Sequence, residues 1–146
     1  ERAASGKVEK ARESILDDVP IHFPGLLEGL KLTKKAAKVG FDWQDKEQIF
    51  EKIDEETAEL RQAIAGNETE HIAEEIGDLL FAVVNLARHL DVEPETALKR
   101  TNRKFRERFK FIEQELAKQG RSLDDADLTE MDTLWNKAKA SSNTAS

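Results

Sequence analysis

Apolar residues recur at three- and four-residue spacing along several long stretches of the chain, and no segment alternates apolar with polar as a strand requires. This periodicity predicts helices over about residues 24–39, 45–65, 68–90 and 94–119, and a short one over about 130–139. Pro24 and Pro94 fall at first-turn positions, where a missing N–H costs nothing. Gly40, Gly66 and Gly120 each follow a periodic stretch, as a helix stop should. Asn67 stands three residues before Glu70 and Thr129 three before Asp132, the spacing of capping boxes for the third and last helices. Connections of a few residues make neighbouring helices antiparallel. The expected fold class is therefore all-α: a helical bundle of four main helices plus a short C-terminal helix. Residues 1–19 and 140–146 lack the pattern and are expected to be linker or disordered tail around one domain over 20–139.

The helical wheel also places the acids. On the second helix Ile49, Ile53, Leu60 and Ile64 mark the buried stripe; Glu56 and Glu59 stand on its shoulder one turn apart, while Glu47 and Glu51 point away. On the third, the stripe Ile72, Ile76, Leu79, Val83, Leu86 and Leu90 leaves Glu75 on its border, with Asp78 one turn on and Asn85 further along the same shoulder. A hairpin at Gly66 brings the two shoulders together. Four converging carboxylates repel one another unless protons or a cation intervene. Oxygen ligands without sulfur favour Mg²⁺, or Mn²⁺, either of which keeps sites open for phosphate oxygens. A solvated acidic face with ordinary lysine pairs is the plainer alternative. On the fourth helix Lys104 and Arg108 flank the stripe Leu98, Phe105, Phe109, Ile112 and Leu116, as partners for the acids or as phosphate ligands. Trp135 and Lys139 recur one turn apart on the last helix, read either as a core cap and a surface lysine or as a base-stacking wall with a cation beside it.

Composition narrows the classes. The 146 residues contain no cysteine, which excludes disulfides and thiolate-bound zinc and is compatible with a cytoplasmic location. A net charge of −7 disfavours nucleic acid as a partner, and no apolar run approaches the roughly 20 residues of a membrane span. A chain that starts at Glu1 without a leader is expected to be a segment of something longer.

Glu55-Glu56-Thr57-Ala58-Glu59, followed by Glu75-Ile76-Gly77-Asp78, resembles the EExxE…ExxD signature of the all-alpha nucleoside triphosphate pyrophosphatases. VGFDW at 39–43, EIGDLLFAVVNLARHL at 75–90, and Lys104-Phe105 with Arg108-Phe109 resemble the MazG branch, specifically its carboxy-terminal catalytic domain. The likeness covers about residues 20–139, and KVEKARESILDDVP before Pro24's helix resembles the connector to that domain. The resemblance implies Mg²⁺-dependent hydrolysis of a nucleoside triphosphate to monophosphate and pyrophosphate by a homodimer. Glu56, Glu59, Glu75 and Asp78 match the metal ligands, with Glu55 and Glu74 the acids beside them. Lys52, Lys104, Arg108, Trp135 and Lys139 match nucleotide-binding positions.

Two other classes compete. Glu68-x-x-His71 has the spacing used by dinuclear iron carboxylate bundles, but that fold needs two such pairs and His22 and His89 have no glutamate three residues earlier. A noncatalytic helical interaction module would carry the same acids merely as solvating charge. Neither the base nor the sugar of a substrate is legible.

Overall fold

The computed structural model describes residues 13–144, all of whose regular structure is helical. Five α-helices follow in chain order: α1 Gly25–Lys38, α2 Lys46–Ala65, α3 Thr69–His89, α4 Pro94–Lys118 and α5 Leu128–Thr144. Short 3-10 helices at Ile15–Asp18 and Leu123–Asp125 precede α1 and α5. The all-α expectation is met. No described helix is long and apolar enough to cross a membrane.

Local chemistry sets the helix ends, and it departs from expectation at two of them. Asp45 caps α2, its carboxylate accepting from Gln48 N–H at 3.1 Å. Gly40 and Gly120 take φ of +91° and +67°, the left-handed conformation that ends α1 and α4. Gly66 does not; at the α2–α3 turn Asn67 takes φ +52° instead, so it closes the turn rather than capping α3. The N-cap of α3 is Glu68, without a side-chain hydrogen bond. Asp127, not Thr129, supplies the side chain at the start of α5, accepting from Glu130 N–H at 2.8 Å. Capping boxes do occur, at Ser14/Asp17 and Ser122/Asp125. Beyond Lys139, where the sequence pattern fades, α5 continues to Thr144; of the expected N-terminal linker, residues 1–12 lie outside the described residues.

Where one core was expected, the helices fall into two compact units dividing after Glu95. In the first, α3 packs against both α1 and α2. Gly29 permits the α1 approach, since a Cβ there would already touch Val84 Cγ1 at 3.4 Å. In the second, Phe105 stacks on Phe109 and meets Trp135 with ring centroids 5.3 Å apart, while Ile112, Leu116 and Ala138 are buried. Arg121 locks the α4–α5 connection by a two-pronged bond to Glu130, one prong at 2.7 Å, and by donating to the Asp125 carbonyl.

The buried face of α3 is not the one its apolar stripe suggests. Glu75, Ala82, Val84 and Asn85 are buried, whereas Ile76, Leu80 and Val83 are about half exposed. The helix turns its acid-bearing shoulder toward α1 and α2 and leaves its most apolar stripe outward. On α2, Ile49 is fully buried but Ile64 is exposed, and on α4 Leu98 and Phe105 are exposed.

Candidate functional site

The α2–α3 turn lies almost midway between Glu56 and Glu75, so two antiparallel helices carry these residues to the same level. Glu56, Glu75 and Asp78 each place a carboxylate oxygen within 4.8 Å of the others. Glu56 and Glu75 are buried and Asp78 is exposed, so the group has two ligands in the protein and one at its mouth. Glu59, half-buried, borders both Glu56 and Glu75 without joining that tight group of three.

The electrostatics of the pair are asymmetric. Lys52 Nζ donates to Glu56 Oε1 at 2.9 Å and holds this carboxyl below the usual carboxylate range; the contact with Glu75 adds to the effect. The Glu75 carboxyl is pushed up to about 7. Its contact with Glu56 is the largest cause, followed by burial and the charges of Glu59 and Glu56. Glu56 Oε2 and Glu75 Oε2 are nevertheless buried with no hydrogen-bond partner among the described residues. Orphaned carboxylate oxygens are costly, and a hard divalent cation satisfies both at once. The residues present therefore fit a Mg²⁺ or Mn²⁺ ion.

Glu55 and Glu74 occupy the outer side of this hairpin. Glu55 is exposed, 3.4 Å from Lys52 Nζ, and Glu74 is exposed, 3.7 Å from His71 Nδ1. His71 also brings Nε2 to 3.6 Å from Glu75 Oε1, but it is not a member of the group of three carboxylates. The second unit holds the remaining residues that the sequence singled out. Arg108 sets its guanidinium 5.3 Å over the Trp135 ring, and its Nε is buried with no hydrogen-bond partner among the described residues. Lys104 and Lys139 lie exposed on α4 and α5.

Beside the acids, a cavity of about 710 Å³ opens between α1, α2, α3 and the α1–α2 loop, within the range of small-ligand sites. Lys52, Glu56 and Asp78 line one part of it; Phe41, Trp43 and Asn85 line another. The loop is tied to α3 by Asp42, which accepts from Arg88 Nη2 and, at 3.1 Å, from Nη1, and lies 2.9 Å from His89 Nε2. Arg88 beside it, helped by His89, holds the Asp42 carboxyl far below the usual range. VGFDW and NLARHL both take part in the family resemblance, but the resemblance implies no role for Asp42, Arg88 or His89. Their pairing spans more than forty positions, and the only signal was the presence of both segments.

Comparison with known proteins finds relatives that span these helices. Residues 44–112, the stretch carrying the acids, match the model of the MazG nucleotide pyrophosphohydrolase domain. The chain is 41% identical over 137 residues to the nucleoside triphosphate pyrophosphohydrolase of Escherichia coli (strain K12), covering 91% of this chain and 51% of that protein. It is 42% identical over 135 residues to the nucleoside triphosphate pyrophosphohydrolase/pyrophosphatase MazG of Thermotoga maritima, covering 92% and 52%. It is also 48% identical over 136 residues to YabN of Bacillus subtilis, covering 91% of this chain and 28% of that one. The chain thus spans about half the length of the E. coli and T. maritima relatives. With the acid pair of α2 and α3 inside the matched stretch, residues 44–112 of the chain are similar to the MazG nucleotide pyrophosphohydrolase domain.

Proposed function

We propose that the chain hydrolyses nucleoside triphosphates to the monophosphate and pyrophosphate, with water attacking the α-phosphorus. The observation that carries this is the pair of buried, unpartnered carboxylate oxygens on Glu56 and Glu75, set beside a cavity of nucleotide size. Glu56, Glu59, Glu75 and Asp78 would hold Mg²⁺. When bound, the ion supplies charge neutralisation for phosphate oxygens and a more acidic water.

The remaining roles belong to the chain's own side chains. Lys52 keeps Glu56 ionised and leans its own charge toward the cavity. Within the second unit, Arg108 is suited to two-pronged contact with a phosphate and is steadied by Trp135, and Lys104 and Lys139 offer further positive charge for a nucleotide. Glu56 is better placed than Glu55 to accept the proton of the attacking water, because it is buried at the cavity wall whereas Glu55 faces solvent. Glu74 serves the outer rim through His71.

A homodimer belongs to the same proposal. Ile76, Leu80 and Val83 repeat on one outward face of α3, and a second copy would remove that face from water. A panel of ribo- and deoxynucleoside triphosphates, assayed for pyrophosphate with and without Mg²⁺, tests the activity. Mg²⁺-dependent pyrophosphate release is expected, and release of orthophosphate alone would count against it. Light scattering should give twice the chain mass; a monomer would remove the dimer.

A further inference from the structure

Asn85 follows Asp78 by two helical turns on the same face of α3, so it continues the line of the acids into the cavity. It is buried, and half of its amide is committed. Oδ1 accepts from Arg88 Nε at 3.2 Å and from Nη2 at 2.7 Å. A guanidinium has donors only, so oxygen must be the atom facing it and the amide nitrogen is turned the other way. Arg88 cannot easily swing aside to change this, because Asp42 grips it from the α1–α2 loop. Nδ2 has no hydrogen-bond partner among the described residues. Asn85 is therefore a donor of fixed direction lining a cavity whose other walls include the rings of Phe41, Trp43 and Phe81.

Aromatic walls with one oriented polar group are what a planar heterocycle needs. Resting on the pyrophosphohydrolase proposal above, we propose that this part of the cavity takes the nucleobase and that Asn85 is its specificity-determining residue, its Nδ2 donating to a carbonyl oxygen on the base edge. Guanine O6 and uracil or thymine O4 offer that acceptor. Adenine and cytosine carry an amino group at the equivalent place, which would set donor against donor. The Asp42–Arg88 pair acts through Asn85 as a positioning element: without it the amide is free to turn over and accept instead.

The test is kcat/KM for GTP, UTP, ATP and CTP in wild type, N85A and N85D. Wild type should favour GTP and UTP by about tenfold or more, the scale of one good hydrogen bond to a base edge. N85A should bring the four values together, chiefly by loss on GTP and UTP. N85D, which can only accept, should favour ATP and CTP. A Mn²⁺ titration and the helical circular dichroism should be unchanged in both variants. Equal effects on all four bases, or no effect, would overturn the assignment of Asn85 while leaving the hydrolase reading intact. Absence of wild-type turnover on every triphosphate would instead sink the hydrolase reading. In that event quenching of tryptophan fluorescence by the four monophosphates makes the same base comparison without turnover, and an order that Asn85 variants do not alter overturns the inference.

Discussion

Replacing Glu75 by glutamine is expected to lower triphosphate turnover about a thousandfold or more, the equivalent of the several kcal/mol that a bound metal contributes to a developing charge. Glutamine keeps the length and shape of the side chain, so α3 and its packing on α2 should survive and the helical circular dichroism should not change. The amide is also a good substitute for the protonated carboxyl: it donates to Glu56, as Glu75 does while it holds its proton. Without metal, E75Q should therefore melt at or above the wild-type temperature at pH 8 while being nearly inactive. Loss of activity without loss of stability separates a role in the site from a folding defect. An E75Q enzyme within tenfold of wild type would remove Glu75 from the metal site.

Mg²⁺ is expected to stabilise the protein strongly at pH 8 and hardly at pH 5.5. In the metal-free fold Glu75 titrates at about 7, against 4.5 for the unperturbed side chain. Between these values the folded chain binds more protons than the unfolded one, so Glu75's contribution is complete below 4.5 and is lost as pH rises through 7. Glu56 has the opposite sign: its carboxyl is depressed, and its contribution is present above 4.5 and lost on acidification. Across pH 5 to 8 the loss of Glu75's contribution outweighs any change at Glu56, and the metal-free melting temperature should fall. Metal competes with that proton. At pH 8 saturating Mg²⁺ replaces the missing charge and, at about a hundredfold over Kd, adds about 2.7 kcal/mol, or roughly 5–10 °C for a chain of this size. Melting curves with and without Mg²⁺ at the two pH values check this; equal shifts at both would show that the acid pair is not where the ion binds.

The helices and their order were legible because proline and glycine punctuation coincides with the 3.6-residue period, as at Pro94, Gly40 and Gly120. The convergence of Glu56, Glu75 and Asp78 was legible for the same reason: spacing of i, i+3 on two helices joined by a short turn leaves few other arrangements. Which face of α3 is buried was not. A wheel finds the most apolar stripe but not what covers it, and here Ile76 and Val83 look outward while Glu75 and Asn85 look in. The caps at Glu68 and Asp127 escaped because capping boxes depend on backbone dihedrals one residue either side, and Asn67 turned out to serve the turn instead. The length of α5 escaped because Ala140, Ser141 and Ser142 are neutral enough to extend a helix without a stripe. The Asp42–Arg88 tie and the cavity it shapes were hidden in sequence separation; only folding α1 onto α3 through Gly29 brings the two segments within reach.

In the proposed reaction water attacks the α-phosphorus of a nucleoside triphosphate at the site built by Glu56, Glu59, Glu75 and Asp78. Hydrolysis in ¹⁸O-labelled water with Mg²⁺, followed by mass spectrometry of both products, tests it most directly. One ¹⁸O is expected in the nucleoside monophosphate, with unlabelled pyrophosphate. Label in the pyrophosphate, or nucleoside diphosphate with labelled orthophosphate, would contradict it.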